Sequence, residues 1–279
     1  MRNILLAIDS SHVDRSALDF ACYVARLTHS SIKGYFLENF KTETVSIVKS
    51  LHGQPYVESG AARDLPASIL MENDREKSVR FFREACCNKE VNSFTCVGRG
   101  SAKDLLRETR FADLLIVSPS TASESRMEST PTAFVREVLT GSECPVAIAP
   151  FSFDSIDEIL FAFDGSRSSV FAIKQFTYLF PEFRSKKVTV VQVRESGNED
   201  LKKDKEEITA LLAPHYDHFE FCYLAGNATD ELFGYLLGKR NMFVVMGAFG
   251  RNPISNFFNR STAELLLKTI NLPVFAAHN

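Results

Sequence analysis

Short continuous apolar runs alternate with stretches of helical apolar spacing along the whole chain, the pattern of βαβ units built around a parallel sheet. In the C-terminal half the runs predict strands at 158–163, 187–193, 219–224, 242–246 and 273–277. Between them, apolar residues at 172, 173, 176, 179 and 180 predict a helix over 168–180, and similar spacing predicts helices over 201–212, 229–237 and 261–269. The N-terminal half repeats the pattern, with strands near 3–8, 31–37, 93–97, 113–117 and 145–149. Between Phe40 and Asp74 neither period holds, and Gly53, Pro55, Gly60 and Pro66 mark an inserted excursion over about 41–74. Insertions of that length usually carry a function or move.

The repetition extends to the residues themselves. Asn3-Ile-Leu-Leu-Ala-Ile-Asp9-Ser-Ser recurs as Glu158-Ile-Leu-Phe-Ala-Phe-Asp164-Gly-Ser, 155 residues later. Near the ends, Cys144-Pro-Val-Ala-Ile-Ala-Pro150 answers Leu272-Pro-Val-Phe-Ala-Ala-His278 at an offset of 128, so the first copy is 27 residues longer. The expected fold class is α/β, with two repeated five-stranded parallel-sheet, Rossmann-like domains over 1–150 and 151–279. Each apolar terminal strand needs cover on its exposed edge.

Composition narrows the function classes. Of 279 residues, 45% are hydrophobic and 24% charged, which excludes a globally disordered chain. The 32 basic and 35 acidic residues give a net charge of -3 and a pI near 6.1, which argues against a protein that chiefly neutralises nucleic-acid phosphates. No apolar run approaches the ~18 to 20 residues that span a bilayer. Asp9 interrupts the opening apolar run before a signal-peptide core forms. A cytoplasmic protein with neither a nucleic-acid nor a membrane partner is expected. Six scattered cysteines without a CxxC read as reduced, mostly buried thiols.

In doubly wound sheets, ligands lie at the carboxyl ends of the strands where the strand order reverses. That singles out Asp9 and Asp164, each closing a first strand, and the residues after each fourth strand. In the second half these are Met246-Gly247-Ala-Phe-Gly250, nine further residues, and Arg260-Ser261-Thr262. Two glycines let the backbone approach an anion, and Ser261 and Thr262 open a helix whose N–H groups and dipole attract phosphate. The same residues also fit a plain turn with an N-cap serine, just as Asp9 fits a helix cap acting through Ser10 and Ser11.

These residues resemble the universal stress proteins, specifically the tandem kind with two such domains in one chain. The likeness rests on Phe161-Ala-Phe-Asp164-Gly165-Ser166, on Leu272-Pro-Val-Phe, and on the loop after the fourth strand. ATP-binding members carry G-x2-G-x9-G-[ST] in that loop. Here Gly247, Gly250 and Ser261 match, and Arg260 replaces the third glycine.

The resemblance implies an adenine nucleotide alpha hydrolase-like fold whose two final strands meet across a pseudo-twofold axis, an intramolecular pseudo-dimer for which homo-oligomerisation stays open. It also implies an ATP site formed by Asp164, Val193, Gly247, Gly250, Arg260, Ser261 and Thr262, adenosine lying at the first two and phosphates at the loop. Arginine at a position needing left-handed backbone costs about 1–2 kcal/mol, and its reach to a phosphate could return about 1.5–3 kcal/mol. Arg260 therefore reads equally as a clamp or a plug. In the first half Ser118, Thr121 and Pro131-Thr132 align with Gly247, Gly250 and Arg260-Ser261, so all three glycines are gone and the loop is degenerate.

Other motifs read as structure. Gly98-Arg-Gly100-Ser-Ala-Lys103 lacks the third glycine of a dinucleotide fingerprint, and Gly238-Lys239-Arg240 follows Phe233 where a Walker loop needs glycine. His215-Tyr-Asp-His218 is expected to be a solvated turn rather than a metal site. Neither a G-x-S-x-G elbow nor HExxH occurs, and nothing identifies a catalytic nucleophile or base. Two functions remain: a regulatory or stress-response protein that binds an adenine nucleotide and an unidentified protein partner, or a nucleotide-independent interaction protein on the same fold.

Overall fold

A computed structural model describes residues 1–37, 44–51, 54–61, 65–98, 101–121, 131–194, 201–247 and 270–277. The first half comprises β1 (Asn3–Asp9), α1 (Arg15–Leu27), β2 (Ser31–Leu37), β3 (Thr44–Leu51), β4 (Gln54–Ala61), α2 (Leu65–Asn88), β5 (Ser93–Gly98), α3 (Ala102–Thr109), β6 (Leu114–Val117), α4 (Ala133–Gly141) and β7 (Val146–Ile148). The second comprises β8 (Glu158–Ala162), α5 (Arg167–Leu179), β9 (Lys187–Arg194), α6 (Leu201–Leu212), β10 (Phe219–Ala225), α7 (Ala228–Leu236), β11 (Met242–Gly247) and β12 (Val274–Ala277). The helix predicted over 261–269 lies outside the described residues.

All strands except β3 and β4 form one ten-stranded sheet in the order β10-β9-β8-β11-β12-β7-β6-β1-β2-β5. Pairing within each half is parallel. The halves join where β12 pairs antiparallel with β7, Val274 opposite Ile148 and Ala276 opposite Val146. Each terminal strand thereby covers the open edge of the other.

The central strands are buried on both faces, which explains their unbroken apolar runs, whereas the edge strands β5 and β10 are partly exposed. Ile4, Leu6 and Ile8 of β1 join a core with α1, α2, α5 and α6, whereas Leu5 and Ala7 join a second core with α3, α4 and α7. The first core crosses the join: Phe20 of α1 meets Phe243 of β11 edge to face at 5.5 Å between ring centres. Phe176 of α5 contacts Phe161, Phe180, Phe183, Phe243 and Phe275, so aromatic packing concentrates in the second half.

Three expectations change. The predicted excursion over 41–74 contains a regular antiparallel hairpin, β3 with β4, paired from Thr44 opposite Ala61 to Leu51 opposite Gln54, followed by the start of the 24-residue α2. Only Cys22 and Cys86 are buried; Cys87 is exposed, the other three are intermediate, and all six are free. The 215–218 turn is solvated at Asp217 and His218, but Tyr216 points inward, 3% exposed with its hydroxyl 3.2 Å from Thr177 Oγ1. Burial pushes the Tyr216 phenol up to about 12. Among the described residues no cluster of three or more His, Cys, Asp or Glu could hold a metal, and no helix is long and apolar enough to cross a membrane.

Candidate functional site

Strand order reverses between β8 and β11 in the second half and between β1 and β6 in the first, placing a crevice at the carboxyl ends of each pair. Because β7 and β12 are antiparallel, the two crevices open at opposite edges of the sheet.

In the second-half crevice, Asp164 follows β8 and its Oδ1 accepts the Ser166 amide at 2.9 Å. Gly165 between them has φ of 76°, the left-handed region that favours glycine. The turn leads into α5, whose N-cap is Ser166: its Oγ accepts the Ser169 amide at 3.2 Å. Val193, half-buried, comes alongside near the end of β9, two residues beyond the pairing of Ala162 with Val191. Gly247 ends β11 against the first turn of α5, where a Cβ would stand 2.6 Å from both the Ser168 carbonyl carbon and the Ser169 nitrogen. This close approach gives Gly247 a packing cause independent of any ligand. Asp164, Val193 and Gly247 thus share one crevice, while Gly250, Arg260, Ser261 and Thr262 lie outside the described residues.

The first half makes the same aspartate turn and then diverges. Asp9 Oδ1 accepts the Ser11 amide at 2.9 Å and the Ser11 hydroxyl at 2.6 Å. Asp9 does not cap α1, which begins at Arg15, beyond the local reach of its side chain. Asp14 is the cap, with Oδ1 accepting from the Ser16 and Ala17 amides at 2.9 and 3.2 Å. Its Oδ2 accepts the Ser118 hydroxyl at 2.5 Å, so the residue aligned with Gly247 closes on the helix cap. The Ser118 amide donates to Thr121 Oγ1 at 3.0 Å, and Thr132, the N-cap of α4, donates to the Thr121 carbonyl at 2.8 Å. A cavity of only about 70 Å³ remains beside Asp9, Asp14 and Ser118, against roughly 300–1,000 Å³ for ordinary ligand pockets.

Three residues at these crevices escaped sequence reasoning: Asp14, Gln192 and Asp204. Gln192 is 4% exposed, and its Nε2 donates to Asp204 Oδ2 at 3.3 Å. The available signal was one amide side chain inside the apolar run Val188-Thr-Val-Val-Gln-Val193. The larger groove of about 870 Å³, lined by Asp19, Cys22, Tyr23, Lys89 and Phe153, lies near the C-terminal ends of α1 and α2 and shares no lining residue with the cavity beside Asp9. Its Lys89 pairs with Asp19 at 3.0 Å.

No family model matches the sequence, and no curated protein matches it. Among solved structures, a universal stress protein from Archaeoglobus fulgidus DSM 4304 is similar with a TM-score of 0.66 at 15% identity, covering 99% of this chain and 96% of that one. Two Pseudomonas aeruginosa proteins, from strains UCBPP-PA14 and PAO1, each give a TM-score of 0.57 at 17% and 16% identity. They cover 100% of this chain and 93% and 92% of their own, and the second is described as functionally unknown. At these identities the likeness is one of fold, and it runs end to end. The chain therefore has the universal stress protein fold, in the arrangement of two copies joined through their fifth strands.

Proposed function

We propose that the chain binds one ATP or related adenine nucleotide per polypeptide, in the crevice of the second domain (151–279), and that occupancy regulates its association with a protein partner in a stress-response role. The observation carrying this reading is the contrast between the two helix N-termini. In the first half Asp14 places a carboxylate on α1 and holds Ser118 against it. A phosphate charge about 4 Å from that carboxylate would meet about 4 kcal/mol of repulsion at an effective dielectric near 20. In the second half the cap is the neutral Ser166, and the strand ends in Gly247, which has no side chain.

In this reading adenosine lies against Asp164 and Val193, and the phosphates face Gly247, Gly250, Ser261 and Thr262, with Arg260 as their clamp. The first domain (1–150) then serves as a closed structural partner. Calorimetry on the full chain tests the assignment: Asp164→Ala should abolish ATP binding and Asp9→Ala should leave it nearly unchanged. Equal damage from both refutes it. Gly247→Val is unsuitable, because its side chain would strike the α5 backbone. A nucleotide-independent interaction protein is the second reading, favoured by the packing cause of Gly247. It requires that no adenine nucleotide bind.

A further inference from the structure

The first half buries two thiols side by side, and the helices α5 and α6 of the second half contain no cysteine. Cys22 of α1 is 1% exposed and Cys86 of α2 is 0% exposed, both within the core that these helices form with β2. On each helix a charged residue stands three positions away and so on the same face: Asp19 before Cys22, and Lys89 after Cys86, in a turn whose amide still bonds the Ala85 carbonyl. Asp19 and Lys89 meet at 3.0 Å and hold the two thiol-bearing faces together. Between those faces the Cys22 thiol donates a hydrogen bond to the Cys86 sulfur.

Buried thiols are ordinarily inert, because the thiolate is the nucleophile and burial disfavours it. Here the hydrogen bond from Cys22 holds the Cys86 thiol below its ordinary value against the opposing effect of burial, and a hydrogen bond from Ser93 acts in the same direction. The contact with Cys86, together with burial, pushes the Cys22 thiol up, so the pair keeps its proton on Cys22 and its negative charge on Cys86. Cys22 also lines the groove of about 870 Å³ near the ends of α1 and α2, which brings small solutes to the wall of the pair.

We infer that Cys22 and Cys86 form a reversible disulfide on oxidation by hydrogen peroxide, cross-linking α1 to α2. The Cys86 thiolate attacks one peroxide oxygen: an S–O bond forms, the O–O bond breaks, and the hydroxide released takes the Cys22 proton to become water. The Cys22 thiolate then attacks the sulfenic sulfur of Cys86: the S–S bond forms, the S–O bond breaks, and the departing hydroxide recovers from solvent the proton that Cys86 first gave up. Two thiols and one peroxide yield one disulfide and two waters. A thiol reductant reverses the link by exchange. The covalent loop closed from 22 to 86 encloses β2 and the β3–β4 hairpin, so oxidation braces the segment that distinguishes the first half from the second.

The test exposes the folded full-length chain to hydrogen peroxide, denatures it in N-ethylmaleimide and measures the intact mass. Wild type should lose alkylation at two of its six cysteines, peptide mapping should place the link between Cys22 and Cys86, and dithiothreitol should restore both thiols. Cys87→Ser should form the same link, whereas Cys22→Ala and Cys86→Ala should each form none. The oxidised wild type should unfold at higher urea than the reduced protein. Alkylation of all six thiols after peroxide overturns the inference, as does a link that uses Cys87, or oxidation of Cys86 to sulfinic acid with Cys22 still alkylated. A link that forms but leaves the urea midpoint unchanged overturns its role as a brace.

Discussion

Gly247→Ala should destabilise the protein, whereas the same change at Gly234 should stabilise it. At Gly247 the new methyl carbon would lie 2.6 Å from two α5 backbone atoms and 2.8 Å from Ser168 Oγ. Ordinary carbon contacts begin about 1 Å farther out, and the obstruction is main chain, so β11 and α5 must separate. Overpacking of this kind costs about 1–3 kcal/mol. At about 2–4 °C per kcal/mol for a domain of this size, the unfolding midpoint should fall by about 2–12 °C. Gly234, inside α7, has nothing within 4 Å of the same added carbon. There alanine relieves the helix penalty of glycine and should add about 0.4–1 kcal/mol. Urea and thermal unfolding followed by circular dichroism measure both. A Gly247→Ala protein as stable as wild type would refute the close approach of β11 to α5 and with it the packing cause assigned to this glycine.

Other consequences follow from the same geometry. Asp14→Ala removes the α1 cap and the acceptor for Ser118, and should cost about 1–2 kcal/mol in urea unfolding; an unchanged midpoint would contradict the closed first-half crevice. The Tyr216 phenol is raised by burial from 10.0 to about 12, so the fold favours its neutral form. That contribution is fully present below about pH 10 and is lost as pH rises toward 12, so Tyr216→Phe should show a flatter fall in stability across this window in alkaline urea titrations. Arg260→Gly should weaken ATP more than adenosine and reduce the salt dependence of binding, because only the triphosphate presents charge to a clamp. Tighter ATP binding by that variant would make Arg260 a plug.

What the sequence revealed depended on how local each cause is. Strands such as Ile4–Ile8 and Phe243–Met246 are buried on both faces, so their apolar runs stand out and their positions are legible to within a residue or two. The antiparallel join of β7 and β12 depends on contact between residues more than a hundred positions apart, and the family resemblance, not periodicity, anticipated it. The hairpin was hidden because Pro55 and Gly60 punctuate β4 and suggest irregular chain. Asp164, Val193 and Gly247 could be placed because each ends a recognisable strand. Asp14 and Asp204 could not, since a carboxylate early in a helix reads as a routine cap or dipole partner until its second oxygen is seen to reach Ser118 or Gln192.

The most direct measurement is calorimetric titration of the full-length wild-type protein, freed of any co-purifying nucleotide, with ATP at fixed salt. A first-half crevice closed by Asp14 and Ser118, with the nucleotide assigned to the second half beside Asp164 and Gly247, predicts saturation at one ATP per chain. Saturation at two would contradict the closed first crevice, and no binding would contradict the nucleotide reading of the second.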